Sequence, residues 1–103
     1  MVNVISNNDL SEAKKEKLAL LDFSATWCGP CSMLAPVLKE LSEELAGEVA
    51  VYSIDVDQNP QLAVEYKIMN IPALVLLKDG EKAGMTLGFQ PKESLKKFIE
   101  EHR

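Results

Sequence analysis

The sequence is poor in the side chains that staple or metallate small proteins. Among 103 residues there are two Cys and one His. Two cysteines exclude a scaffold held by several disulfides, and these three side chains cannot supply four ligands to a structural zinc unless carboxylates join them. Positive charge is also short: 11 Lys and Arg stand against 16 Asp and Glu, for a formal net charge of -5. Such a surface disfavours nucleic acid and anionic lipid as partners. Long apolar runs are missing. The longest uncharged stretch, Phe23 to Leu38, is interrupted by Gly29, Pro30 and Pro36 and falls short of the ~20 apolar residues of a membrane span. The N-terminal MVNVISNNDLSEAKKEK has neither the basic nor the apolar region of a secretory signal. No Walker loop or dinucleotide fingerprint occurs, so neither motif offers a nicotinamide or flavin a place to bind. A cytoplasmic chain is the expectation. In that compartment a close Cys pair is redox-active or metal-binding rather than structural.

What is present is ordinary globular composition, 47% hydrophobic and 26% charged, at a length that suits one domain over residues 1–103. Strand and helix patterns alternate. Val2 to Ile5 is a short β-branched run, and Asn7 to Lys15 a polar segment of helix formers. Lys17 to Phe23 is nearly continuous in apolar residues, as a strand covered on both faces requires. Met33, Leu34, Val37, Leu38, Leu41 and Leu45 recur at helical spacing up to Gly47. Glu48 to Val56 reads as a second central strand. Asn59-Pro60 gives a helix cap and a proline at the first helical position. Ala73 to Leu77 is a strand, and Asp79-Gly80 is a hairpin turn into Lys82 to Leu87. Gln90-Pro91 opens a last helix with Leu95, Phe98 and Ile99 inward. The order β-α-β-α-β-α-β-β-α predicts an α/β fold: a mixed sheet of about five strands flanked by about four helices. Crossover helices make the early strand pairs parallel, and the hairpin adds an antiparallel edge.

The chemistry-bearing motif is Trp27-Cys28-Gly29-Pro30-Cys31, between a buried strand and a long helix. Cys28 falls at the helix N-terminus, where unpaired N–H groups and the helix dipole favour an anion, and a thiolate is the reactive form of cysteine. Cys31 lies three residues on, on the same face, at a Cβ separation of about 5–6 Å that a small adjustment closes to the ~3.8 Å of a disulfide. A ring that small stabilises by only about 2 kcal/mol on chain entropy, so the pair suits a switch better than a brace. Two unrelated core residues, or half of a metal site, are the other readings of the pair.

Asp22 interrupts an apolar strand. A carboxylate buried there loses hydration, which raises its pKa toward neutrality and makes it a proton acceptor for Cys31, directly or through a water. A strand-end Asp turned to solvent is the competing reading. Pro36 lies inside the Cys helix and removes one of its N–H donors. His102 in the last turn, and the charge runs Lys14-Lys15, Glu43-Glu44 and Lys96-Lys97, read as structural or solvated helix faces.

The stretch Asp22 to Cys31 (DFSATWCGPC), together with Asp57-Gln58-Asn59-Pro60, Ile71-Pro72, Lys78-Asp79-Gly80 and Gly88, resembles the thioredoxin family nearly end to end. The resemblance implies the thioredoxin fold and protein-disulfide reduction in cell redox homeostasis. It makes Cys28 the exposed nucleophile, Cys31 the buried resolving thiol, and the two together a reversible Cys28–Cys31 disulfide. Gly29-Pro30 is the dipeptide of reductases in that family and tunes the couple. Asp22 is the proton acceptor, and Trp27, Gly29, Pro30, Ile71, a cis Pro72, Gly88 and Val56 form an apolar docking surface. Ser53 stands where the family usually has a Lys beside this Asp, so Asp22 is expected to ionise with more difficulty than in relatives. Ser32 likewise replaces a common Lys. The implied partners are a thioredoxin reductase and disulfide-containing proteins, with no cofactor and no metal held by the chain itself, which would act as a monomer. A non-catalytic binding module on the same fold is the alternative function. A module of that kind has no need of the set Cys28, Cys31, Asp22 and Pro72.

Overall fold

A computed structural model describes all 103 residues. The elements run β1 (Val2–Val4), α1 (Ser11–Lys15), β2 (Leu18–Ser24), α2 (Gly29–Glu44), β3 (Ala50–Asp55), α3 (Pro60–Glu65), β4 (Ala73–Lys78), β5 (Glu81–Leu87) and α4 (Lys92–His102). They form one five-stranded sheet in the order β1-β3-β2-β4-β5. The element order is the predicted one.

The centre of the sheet follows from hydrophobicity. In β2 every residue from Leu18 to Phe23 is buried, and in β4 every residue from Ala73 to Leu77. Alternation along a strand divides these side chains between two layers. Ala19, Leu21, Phe23, Ile54, Val75 and Leu77 pack with Ala13 of α1 and Leu62 of α3. Leu18, Leu20, Leu74 and Leu76 pack on the other side against Leu34, Leu38 and Leu41 of α2 and Leu95, Phe98 and Ile99 of α4. Asp22 shares the parity of Leu18 and Leu20, so its carboxyl is directed to the α2 side.

Pairing differs from expectation in one respect. β1·β3 and β2·β3 are parallel as predicted and β4·β5 is the antiparallel hairpin, but β4 also runs antiparallel to β2. The reason is length. The six-residue α3 spans about 9 Å, whereas a six-residue strand spans about 20 Å. A helix so short does not carry the chain back down the sheet. β4 therefore starts at the end where β3 stops, which brings the loop before it beside the start of α2.

Two local expectations are revised. Asn59 occupies the N-cap position of α3, but its side chain caps nothing there. It is fully buried, and its amide donates to the carbonyls of Ile5 (3.4 Å) and Asp55 (3.0 Å). The cap comes from Asn8, whose Oδ1 accepts from the N–H groups of Gln61 (3.0 Å) and Leu62 (3.2 Å). Asn59 Oδ1 in turn accepts from the Asn8 N–H at 2.9 Å. The runs at Glu44 and Lys96 are also more than solvated faces. Glu44 pairs with Lys92 (3.1 Å) and Lys96 (2.7 Å), and Lys92 reaches Glu40 (3.0 Å), which ties α2 to α4. The Asp79-Gly80 turn is as predicted, with φ of 52° and 85°.

His102 is structural, as expected. Its ring stacks on Phe98 at 4.6 Å, and Nδ1 lies 2.8 Å from the Phe98 carbonyl. It also covers Gly84 of β5, where an added Cβ would sit 2.8 Å from His102 Cγ. Gly84→Ala is expected to lower stability by about 1 kcal/mol despite the usual gain in strand preference. Chemical denaturation of a double-mutant cycle checks it: in a His102→Ala background the penalty should vanish.

Candidate active site

α2 begins immediately after the Trp27-Cys28 step because Gly29 and Pro30 suit the first turn and Pro30 needs no N–H there. Cys28 is the N-cap, in extended backbone, and its Sγ accepts from the Cys31 N–H at 3.3 Å. The first turn of α2 carries no acidic residue, so nothing there opposes the positive end of the helix dipole. Cys28 and Cys31 form a disulfide with a Cα–Cα separation of 5.3 Å. This selects the redox reading of the pair over the metal and core readings.

Cys28 was expected at the surface and Cys31 beneath it. The difference is small: Cys28 is 6% exposed and Cys31 5%. In the closed disulfide each sulfur covers the other, and both pack with Ala25, Val56 and Ile71 in a small apolar cluster. Their surroundings distinguish them better than exposure does. Cys28 Sγ faces the loop before β4, 4.0 Å from the Ile71 carbonyl oxygen. Cys31 lines a cleft with Asp22, Ser24, Thr26, Ser32 and Asp55.

The Ile71–Pro72 peptide bond is cis. Pro72 is buried and Ile71 half-buried. Gly88 lies beside them, donating its N–H to the Pro72 carbonyl at 2.8 Å with φ of 84°, a backbone angle that glycine adopts without strain. Trp27 is 71% exposed, a surface aromatic rather than a core one. Its indole N–H donates to Asp57 Oδ2 at 2.8 Å, fixing the ring at the surface. Gly29 and Pro30 are exposed. The structure thus brings Trp27, Cys28, Gly29, Pro30, Ile71, Pro72 and Gly88 to one end of the sheet.

It also extends this face. A groove of about 300 Å³ runs between Trp27 and Ile71, floored by Val56, Ala63 and Ile68 and flanked by Met69. Ile68 and Met69 went unremarked in the sequence. Met69 is 88% exposed, and no periodicity marks a lone exposed methionine in a loop. A larger cleft of about 640 Å³ lies at the opposite end of the strands, at Leu18 and Lys78, lined by mixed charges including Lys17, Glu48 and Arg103. It contains no nucleophile and no unpaired buried group.

Asp22 is buried, at 4% exposure, and its Oδ1 has no hydrogen-bond partner. The solvent-facing reading is therefore excluded. Burial pushes its pKa up from 3.8 to about 7. Across the sheet it stands opposite Ser53 on β3 and Leu74 on β4, so neither strand supplies a cation at those positions. No group of three or more His, Cys, Asp or Glu side chains is placed to hold a metal ion.

Comparison with known proteins agrees with this arrangement. A family model described as Thioredoxin matches residues 2–101. The chain is 43% identical over 98 residues to a thioredoxin of Staphylococcus epidermidis, covering 95% of this chain and 94% of that protein. It is 42% identical, over the same share of each chain, to a thioredoxin of Staphylococcus aureus. Among solved structures it is similar to a single-substitution mutant of a thioredoxin from Halobacterium salinarum NRC-1. There the TM-score is 0.88 and the identity 38%, over 98% of this chain and 89% of that one.

Proposed function

The chain belongs to the thioredoxin family and is a thiol–disulfide oxidoreductase, and from that premise we propose that it reduces protein disulfides in two steps divided between Cys28 and Cys31. The observation that carries the division is the difference in surroundings. Cys28 lies at the dipole end of α2 and faces the Ile71–Pro72 loop, where a partner would dock. Cys31 shares its cleft with the only buried carboxyl.

In the first step the Cys28 thiolate attacks one sulfur of the partner's disulfide. A Cys28–partner bond forms, the partner's own S–S bond breaks, and the electron pair leaves on its second sulfur, which takes a proton from water. In the second step Cys31 gives its proton to the Asp22 carboxylate and attacks Cys28. The Cys28–Cys31 bond forms, the Cys28–partner bond breaks, and the electron pair leaves on the partner's sulfur, which takes a proton from water, so the partner departs as a dithiol. Two electrons pass from the chain to the partner, leaving the disulfide seen in the structure.

Docking is assigned to Trp27, Ile71, Pro72 and Gly88, with Gly29 and Pro30 tuning the couple through the first turn of α2. An extended partner segment would pair with backbone at the Ile71–Pro72 loop and lay apolar side chains in the groove beside Trp27. The matched span of residues 2–101 supports reading residues 1–103 as one domain. The partners are disulfide-containing proteins, and a thioredoxin reductase would restore the dithiol. No helix is long and apolar enough to cross a membrane. We place the activity in the cytoplasm, where thiols are held reduced.

The test is insulin disulfide reduction with dithiothreitol as donor. The expected result is turnover well above that of dithiothreitol alone. A rate equal to the donor's own would refute the reductase reading.

A further inference from the structure

Asp22 borders two clefts. The first holds Cys31 and opens beside the cysteine pair, between Thr26, Ser32 and Asp55. The second, of about 420 Å³, lies between α2 and β1. Val2 and Leu38 form its apolar walls, and Met1, Lys39 and Glu43 stand at its rim. None of these residues belongs to the docking face. Asp22, whose Oδ1 is the only side-chain acceptor in the molecule that is both buried and without a partner, thus lines both spaces.

We propose that the second cleft is a solvent entrance through which Asp22 exchanges its proton while a bound partner covers the cysteine face, with Lys39 and Glu43 as positioning residues at its mouth. The proposal rests on the reading of Asp22 as proton acceptor for Cys31.

The argument is one of access. During the resolving step a partner is covalently held on Cys28, over Trp27 and the Ile71–Pro72 loop, and it closes the first cleft. The proton that Cys31 transfers to Asp22 must leave before the next cycle. A space of this size exceeds the roughly 30 Å³ that one water occupies, and an unpartnered carboxyl oxygen is the group that draws water between apolar walls. Burial holds the carboxyl near pKa 7, so both protonation states are populated near neutral pH.

The charges facing Asp22 are few. α2 presents Cys31, Lys39 and Glu43; Met1, just ahead of β1, adds its side chain to the rim of the second cleft; Asp55, at the end of β3, stands across the first cleft. The neighbouring register positions are the neutral Ser53 and Leu74. Lys39 favours release of the proton to solvent and Glu43 opposes it.

Single-turnover kinetics with two oxidants tests the route. One is insulin, which covers the cysteine face, and the other a small aromatic disulfide, which leaves the first cleft open. Val2→Phe plugs the second cleft. It should slow resolution with insulin about threefold or more while leaving the small disulfide within about twofold. Lys39→Glu should raise, and Glu43→Lys lower, the pH midpoint of the resolving step by about half a unit each. Both residues are exposed on α2, so these variants decide the matter if Val2→Phe does not fold. Equal slowing of both oxidants by Val2→Phe, or no slowing, together with unmoved midpoints, overturns the proposal. Asp22→Asn separates the two failures. If it slows neither oxidant, the acceptor reading itself fails. If it slows both while the cleft variants change nothing, only the entrance is wrong.

Discussion

Replacing Cys28 with serine should reduce insulin turnover to the rate of the thiol donor alone, whereas replacing Cys31 with serine should stop the reaction halfway. In Cys28→Ser the sulfur at the N-cap of α2 is lost, and no attack on the partner begins. A hydroxyl at that place does not substitute, because it ionises far less readily than a thiol at neutral pH. In Cys31→Ser the first attack proceeds, but nothing beneath the mixed disulfide can displace the partner. The expected product is a covalent adduct whose mass is the sum of the two chains and which dithiothreitol releases. Neither loss is attributable to unfolding. The four-residue ring contributes only about 2 kcal/mol by chain entropy, and each substitution replaces one small side chain with another. The assignment fails if the pattern inverts, with adducts on Cys28→Ser and none on Cys31→Ser.

That division of labour was legible only in part. The cysteine spacing and the strand before it placed both sulfurs at a helix entrance, and there they are. Exposure, the property expected to separate them, does so by a single percentage point. The distinction is tertiary: which sulfur meets the Ile71 carbonyl and which meets the Asp22 cleft depends on the direction of β4. Alternation in a strand reveals which residues face the core, not which way the strand runs, so the antiparallel β2·β4 pair was hidden. The length of α3 was the available clue. Asp22, by contrast, stood out, because a carboxylate inside LALLDF contradicts its neighbours. The rest of the proposed docking groove did not: beyond Val56, which the family resemblance implied, Ala63, Ile68 and Met69 are separately unremarkable and become a surface only when α3 and its following loop fold against Trp27. The cap of α3 failed for the same reason. Asn59 has the right residue type at the right position, yet Asn8, brought in from far along the chain, does the capping.

Asp22→Asn should make the oxidised chain markedly more stable at alkaline pH and almost unchanged near pH 4. The buried carboxyl titrates at about 7 when folded, against 3.8 as the ordinary value. Its pKa is raised, so between those values the folded state binds a proton that the unfolded state has released. Stability linked to Asp22 is therefore full below about pH 4 and declines as pH rises, by about 1.4 kcal/mol for each pH unit, until the folded carboxyl has itself ionised. Over the whole interval this amounts to about 4 kcal/mol lost by pH 8, which is a large share of the roughly 5–15 kcal/mol typical of a domain. Asparagine has nearly the same shape and carries no charge at any pH. Its amide is left as poorly partnered as the protonated acid, which is why the two should agree at low pH. Urea denaturation from pH 4 to 9 measures the comparison: the parent midpoint should fall across this range relative to that of Asp22→Asn, with the two curves parting mainly between pH 4 and 7. Parallel curves throughout would mean that the carboxyl ionises as freely in the folded chain as in water. A group so unperturbed would be fully ionised at neutral pH and too weak a base to take the Cys31 proton.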